Sequence, residues 1–131
     1  MNVVLGIGCD RGVSLQTLED AMTEALAQAG LETNTVTALA TIDKKNDESA
    51  ILNLADKHGW AVEFYPAEKL AQVPVPNPSD TVLKYMGTPA VAEAAAMLYA
   101  KTTVDDLLVE KLKFLGKDGK NATISVVRLS A

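Results

Sequence analysis

Aromatic side chains are scarce in this sequence: two phenylalanines, three tyrosines and one tryptophan, 5% of 131 residues. A core built from such a chain is mostly aliphatic, and the abundant alanines imply helices packed closely on a sheet. Cysteine occurs once, at Cys9, so no intrachain disulfide can form and a reducing compartment fits. Histidine also occurs once, at His58; one thiol and one imidazole make no metal-ligand cluster, and no metal or other cofactor is expected. Basic residues are outnumbered, 12 Lys and Arg against 17 Asp and Glu, for a net charge of -5. A broadly acidic surface repels phosphate backbones, which argues against nucleic acid as a main partner while leaving room for a local basic site. Long apolar runs are missing too. Met1 to Leu5 is too short for a membrane span or a signal peptide and lacks a basic n-region, so no membrane partner and a cytoplasmic location are expected.

With 48% hydrophobic and 22% charged residues, a disordered chain is excluded, and residues 1–131 suffice for a single domain with a real core. Val3 to Ile7 is a short continuous apolar run, which predicts a strand buried on both faces. Ser14 can cap a helix from Leu15 to Ala29, with an apolar stripe at Leu15, Leu18, Met22, Ala25, Leu26 and Ala29 and Gly30 as its stop. Thr35 to Ile42 is β-branched and apolar, a second strand. Asp47 and Glu48 suit the first turn of a helix reaching His58 and Gly59. Ala61 to Tyr65 reads as a third strand, and Pro66 opens a short helix through Leu70. Prolines 74, 76 and 78 forbid helix and central strand, so that stretch is an extended loop, able to cover a neighbouring site.

Ser79 or Asp80 caps a helix ending at Gly87, and Thr88-Pro89 begins the next, apolar nearly all round from Ala90 to Ala100. Leu107 to Leu115 and Ala122 to Leu129 are two further strands, joined by a turn containing Asp118-Gly119. The pattern predicts a layered α/β domain: a mixed, mostly parallel sheet flanked by helices, with a C-terminal antiparallel hairpin.

The strongest local signal is Gly6-Ile7-Gly8-Cys9-Asp10-Arg11-Gly12. Glycines permit close ligand approach, and a helix N-terminus just beyond favours anions. Arg11 can add a bidentate grip on a carboxylate or phosphate. The plainer reading is a tight strand-to-helix turn, and spacing alone does not separate the two. No Lys-Ser or Lys-Thr pair follows the last glycine, which excludes a P-loop. A loose dinucleotide fingerprint, with Asp43 as the ribose-binding acid, makes a nucleotide-binding module an alternative; Lys44 and Lys45, which follow at once, count against it.

That segment resembles the GIGC-x-RG signature of the CobE family and of the C-terminal domain of CbiG. Thr41-Ile42-Asp43-Lys44-Lys45-Asn46-Asp47-Glu48 is similar to the family's second motif, Gly87-Thr88-Pro89-Ala90-Val91-Ala92-Glu93-Ala94-Ala95-Ala96 to its third, and Leu108-Val109-Glu110-Lys111-Leu112-Lys113 to its fourth. Four motifs in order span nearly the whole chain. The resemblance implies a role in cobalamin (corrin ring) biosynthesis. CbiG proteins open a lactone of cobalt-precorrin-5A and release acetaldehyde; CobE proteins accompany the aerobic pathway as single domains. Two positions depart from the pattern, Lys44 for an apolar residue and Glu110 for a proline, and no counterpart of the CbiG N-terminal domain precedes the first strand. Hydrolase activity is therefore expected only with a separate domain or partner.

A corrin precursor carries acetates and propionates on an apolar macrocycle, so its site needs anion holders around an apolar floor. The expected ligand-binding residues are Gly8, Cys9, Arg11 and Gly12 of the loop, Lys45, Thr88 at a helix N-terminus, and Lys111 with Lys113. Asp43 and Glu93 are the candidate acid/base groups; Glu93, the main acid on an apolar helix, needs a partner if buried, and Lys111 or Lys113 could serve. Cys9 reads as a structural thiol rather than a nucleophile. The expected partners are a corrinoid intermediate, whose cobalt would arrive with it, and other enzymes of the cobalamin pathway.

Overall fold

The computed structural model describes residues 1–130. Five strands form one sheet: β1 (Val3–Cys9), β2 (Val36–Ile42), β3 (Ala61–Tyr65), β4 (Leu107–Leu115) and β5 (Asn121–Arg128), in the order β3-β2-β1-β5-β4. The pairs β1–β2 and β2–β3 are parallel, while β5 runs antiparallel to both β1 and β4. Only β5 points the other way, because the short turn through Asp118 and Gly119 sends it back beside β4, next to β1. The sheet is thus the mixed one expected.

Pleat alternation divides the core. Val3, Leu5 and Ile7 join Leu39, Ile124 and Val126 against α1 (Leu15–Ala29) and α2 (Ser49–His58). Val4, with Ala38, Ala40, Ile42 and Val127, packs against α5 (Ala92–Ala100) and Leu70 of α3 (Ala67–Leu70). Each large side chain taken from water this way contributes roughly 1.5–3 kcal/mol before entropy is charged against it. The second face is built of small residues. A Cβ on Gly6 would lie 1.8 Å from the Ala92 carbonyl oxygen, so only glycine lets α5 begin directly against β1.

The helix ends follow local chemistry. The Ser14 hydroxyl accepts from the Thr17 amide, and Gly30 ends α1 at φ 71°. Ser79 caps α4 (Asp80–Met86) in the same way. Two starts differ from expectation. The helix α2 begins at Ser49, after Asp47, and Glu48 makes no capping bond because its carboxylate is used elsewhere. The helix α5 begins at Ala92 rather than at Thr88. The Thr88 hydroxyl donates to the Ala90 carbonyl and the Pro89 carbonyl accepts from Ser79 N–H, which holds residues 88–91 out of helical geometry.

Candidate functional site

A cleft of about 260 Å³ opens at the C-terminal end of β1, between the turn at residues 43–45, α4, the start of α5, and the ends of β4 and β5. In open α/β sheets the carboxyl ends of the strands are where ligands gather. One wall is apolar: Val82, Tyr85 and Met86 from α4, with Pro89, Ala90 and Val91. The other carries Lys45, Glu93, Lys111, Lys113, Asn121 and Thr123. Gly8 and Cys9 form the floor.

Lys45 is the unusual member. It ends the tight turn after β2, is 7% exposed, and its ammonium has neither an ion pair nor a hydrogen bond among the described residues. Its stem is packed away while its ammonium lacks a protein partner, which leaves that group available to an anion entering the cleft. Lys111 is committed: its Nζ donates to the Asn77 carbonyl at 2.8 Å and lies 3.4 Å from Glu93 Oε2 and 3.9 Å from Glu110 Oε2. Asn77 Nδ2 in turn donates to both Glu110 oxygens, which ties the chain ahead of α4 to β4. Glu93 is 2% exposed, and its Oε2 receives no hydrogen bond. Lys113 is exposed at the rim.

Cys9 lines the cleft as a protonated thiol. Burial pushes it up to about 11; Lys45 opposes the shift, while Glu48 and Asp10 add to it. A thiol so placed is a poor nucleophile. The imidazole that would have to activate it, His58, is stacked on Trp60 at 4.2 Å at the end of α2, outside the cleft.

The cleft therefore gathers Gly8, Cys9, Lys45, Glu93, Lys111 and Lys113, and leaves out Arg11, Gly12, Asp43 and Thr88. Arg11 points to protein, not ligand: it pairs with Asp47 at 2.7 Å, donates to the Lys44 carbonyl, and lies 3.6 Å from Glu48. The Asp47 carboxyl is held below its usual range, first by its hydrogen bond from Arg11 and then by the charge of that guanidinium. The Gly12 amide donates to Glu48 Oε2 and the Ser14 amide to Asp118 Oδ2. Asp10 N–H and Val13 N–H are taken by the carbonyls of Asn121 and Asp10. Gly8 belongs to β1 and pairs with Thr123 of β5.

The expected anion cradle at the start of α1 is thus already filled by the protein's own carboxylates, and the nucleotide reading loses its phosphate site. Asp43 is solvent-exposed and Thr88 is fully buried behind the cleft wall. The proline loop covers nothing here; α4, which follows it, forms the wall instead. Sequence reading missed Tyr85, Asn121 and Thr123. The signal for the last two is the hairpin itself, since β5 must return beside β1 and set its first residues against Gly8 and Cys9.

The sequence model described as "Cobalamin synthesis G C-terminus" matches residues 3–127. The chain belongs to the CbiG C-terminal family of cobalamin synthesis proteins. A cobalt-precorrin-5A hydrolase of Priestia megaterium is 37% identical over 124 residues, covering 95% of this chain and 31% of that protein. A CobE protein of Sinorhizobium sp is 34% identical over 100 residues, 75% of this chain and 65% of that one. The chain therefore spans about a third to two thirds of the length of these curated relatives.

Among solved structures, CobE of the cobalamin (vitamin B12) biosynthetic pathway superposes with a TM-score of 0.79 at 28% identity, covering 96% of this chain and 93% of that one. The cobalamin biosynthesis protein chiG from Agrobacterium tumefaciens shares the fold, with a TM-score of 0.68 at 24% identity over 98% of this chain and 99% of that one. The CbiG C-terminal fold is thus this five-stranded mixed sheet between helical layers. Among the described residues no helix is long and apolar enough to cross a membrane.

Proposed function

We propose that this domain binds the carboxylate-bearing edge of a corrin-ring precursor in the cleft at the end of β1. The observation that carries the reading is Lys45, a mostly buried side chain lining the cleft with an ammonium that has no protein counter-charge. Lys113 and Asn121 supply further donors at the rim. A volume of about 260 Å³ suits one side-chain-bearing edge of such a ligand and leaves most of the macrocycle outside. Enzymes that make or consume that intermediate are the expected protein partners, and a cytoplasmic location follows from the pathway. The test is titration with a panel of corrin intermediates, with and without cobalt, followed by spectral shift. Selective binding that Lys45→Met weakens supports the reading. No shift with any member sinks it.

The 37% identity to a cobalt-precorrin-5A hydrolase favours a second reading, in which the domain is one part of a lactone-opening enzyme. Glu93, buried beside Lys111, is then the acid/base candidate, and the exposed Asp43 is not. Turnover of a cobalt-precorrin-5A-like substrate, lost in Glu93→Gln, is the expected result. Unchanged turnover in that variant would remove Glu93 from the chemistry.

A further inference from the structure

The chain has six aromatic side chains, and five of them, Trp60, Phe64, Tyr65, Tyr99 and Phe114, are at least partly buried. Tyr85 is 69% exposed. A lone surface tyrosine is ordinary, but the place of this one is not. It follows Val82 by one helical turn and precedes Met86, and the three side chains form the α4 wall of the cleft. Val82 and Met86 also pack against the core, whereas Tyr85 does not. The ring thus adds little to folding and stands at the mouth of the cleft. The Lys84 ammonium lies 5.6 Å from its centroid and makes no ion pair among the described residues.

The size of the ligand gives that ring a task. The cleft admits one edge of a carboxylate-bearing macrocycle and leaves the rest outside, so the broad conjugated face comes to rest at the rim. An aromatic ring there offers apolar area and a π-face, and a free cation beside it suits the carboxylates around the macrocycle's margin. A protein partner would also bury an exposed tyrosine, but continuity with the cleft and the unpaired ammonium favour the anionic macrocycle. We infer that Tyr85 is the platform for the macrocycle face of the ligand, with Lys84 holding a further peripheral carboxylate. The inference rests on the corrin-binding reading above and deepens it: Lys45 holds the edge inside the cleft, and Tyr85 holds the face outside.

The test is spectral titration of the full chain with cobyrinic acid and its cobalt-free counterpart, hydrogenobyrinic acid, two corrins with carboxylates around the ring. Tyr85→Ala is expected to weaken binding about tenfold, the scale of one aromatic contact at an interface. Tyr85→Phe and Tyr85→Trp keep the ring and should stay within about twofold of the unaltered chain. Leu83→Ala removes another exposed apolar side chain of α4, one outside the cleft wall, and should leave binding unchanged. Lys84→Met should weaken binding about threefold, and less as salt rises. Binding that Lys45→Met weakens but Tyr85→Ala does not overturns the inference and leaves the corrin-binding reading standing. Equal losses in Tyr85→Ala and Leu83→Ala also overturn it, because the helix rather than the ring would then matter. A Tyr85→Ala effect confined to self-association in sedimentation overturns it too and assigns the ring to a second copy. Binding of neither corrin by the unaltered chain overturns this inference and the broader reading together.

Discussion

Two regions of this protein are equipped to hold negative charge, and they are used in opposite ways. The loop from Asp10 to Ser14 has glycine, an arginine and a helix N-terminus, yet each of these faces a carboxylate of the protein itself: Asp47 and Glu48 on Arg11, Glu48 on Gly12 N–H, Asp118 on Ser14 N–H. The cleft beside it has fewer of these features but leaves the Lys45 ammonium without a protein counter-charge. A set of groups that could bind an anion becomes scaffolding once its charges are answered internally. What marks a ligand site is unanswered charge in a concave place.

The comparison can be broken most severely at Gly6, whose bare Cα lets α5 bring Glu93 to the cleft. Gly6→Ala sets a methyl against the Ala92 carbonyl and should cost about 3 kcal/mol or more in urea denaturation. Gly12→Ala, at φ 77° with open space around it, should cost only about 1 kcal/mol.

Lys45→Met tests the open region directly. Corrin-precursor affinity should fall about thirtyfold, in line with one charge-assisted hydrogen bond, while the unfolding midpoint holds because the ammonium makes no ion pair or hydrogen bond within the protein and Met keeps the packed stem. Glu48→Ala tests the closed region and should do the reverse. It strands the Gly12 amide and half of the Arg11 pairing, so about 2 kcal/mol of stability is lost, with affinity changed less than about twofold. Affinity loss in Glu48→Ala equal to that in Lys45→Met would erase the distinction between the regions.

The smallest effect is on pH dependence. Asp118 is lowered to about 2, first by the hydrogen bond from the Ser14 backbone and then, against desolvation, by those from Lys120 N–H and Thr17. A depressed carboxyl contributes stability that is present above its unfolded value of 3.8 and is lost as pH falls through about 2. The thermal midpoint should therefore decline from about pH 4 to pH 2, and Asp118→Ala, less stable at neutral pH, should show a flatter acid limb by calorimetry. An unchanged acid limb in that variant would show that Ser14 is held some other way.

Much of the fold was legible because its determinants are local. Ser14 and Gly30 bracket α1 within hydrogen-bond reach of their own helix, and Ser79 and Gly87 do the same for α4. Period-two burial in β1 and β2 separates the two core faces. The start of α5 was misplaced because Thr88 carries the chemistry of a cap, but its hydroxyl is engaged by Ala90 while Ser79 holds Pro89. Lys45, Lys111, Lys113 and Glu93 were recognisable through the motifs that contain them, although nothing local distinguished Lys45 from the exposed Lys44 beside it.

The sequence by itself determined the element order, the caps, the aliphatic core and the family, since each is written in spacing and residue type over a few positions or in ordered motifs. Only the tertiary structure decided which charged groups are answered and which are left open. Arg11 meets Asp47, Gly12 meets Glu48 and Ser14 meets Asp118 across separations of 36, 36 and 104 residues. Such pairings depend on where the sheet brings distant loops together, and electrostatic energy follows distance through space rather than distance along the chain.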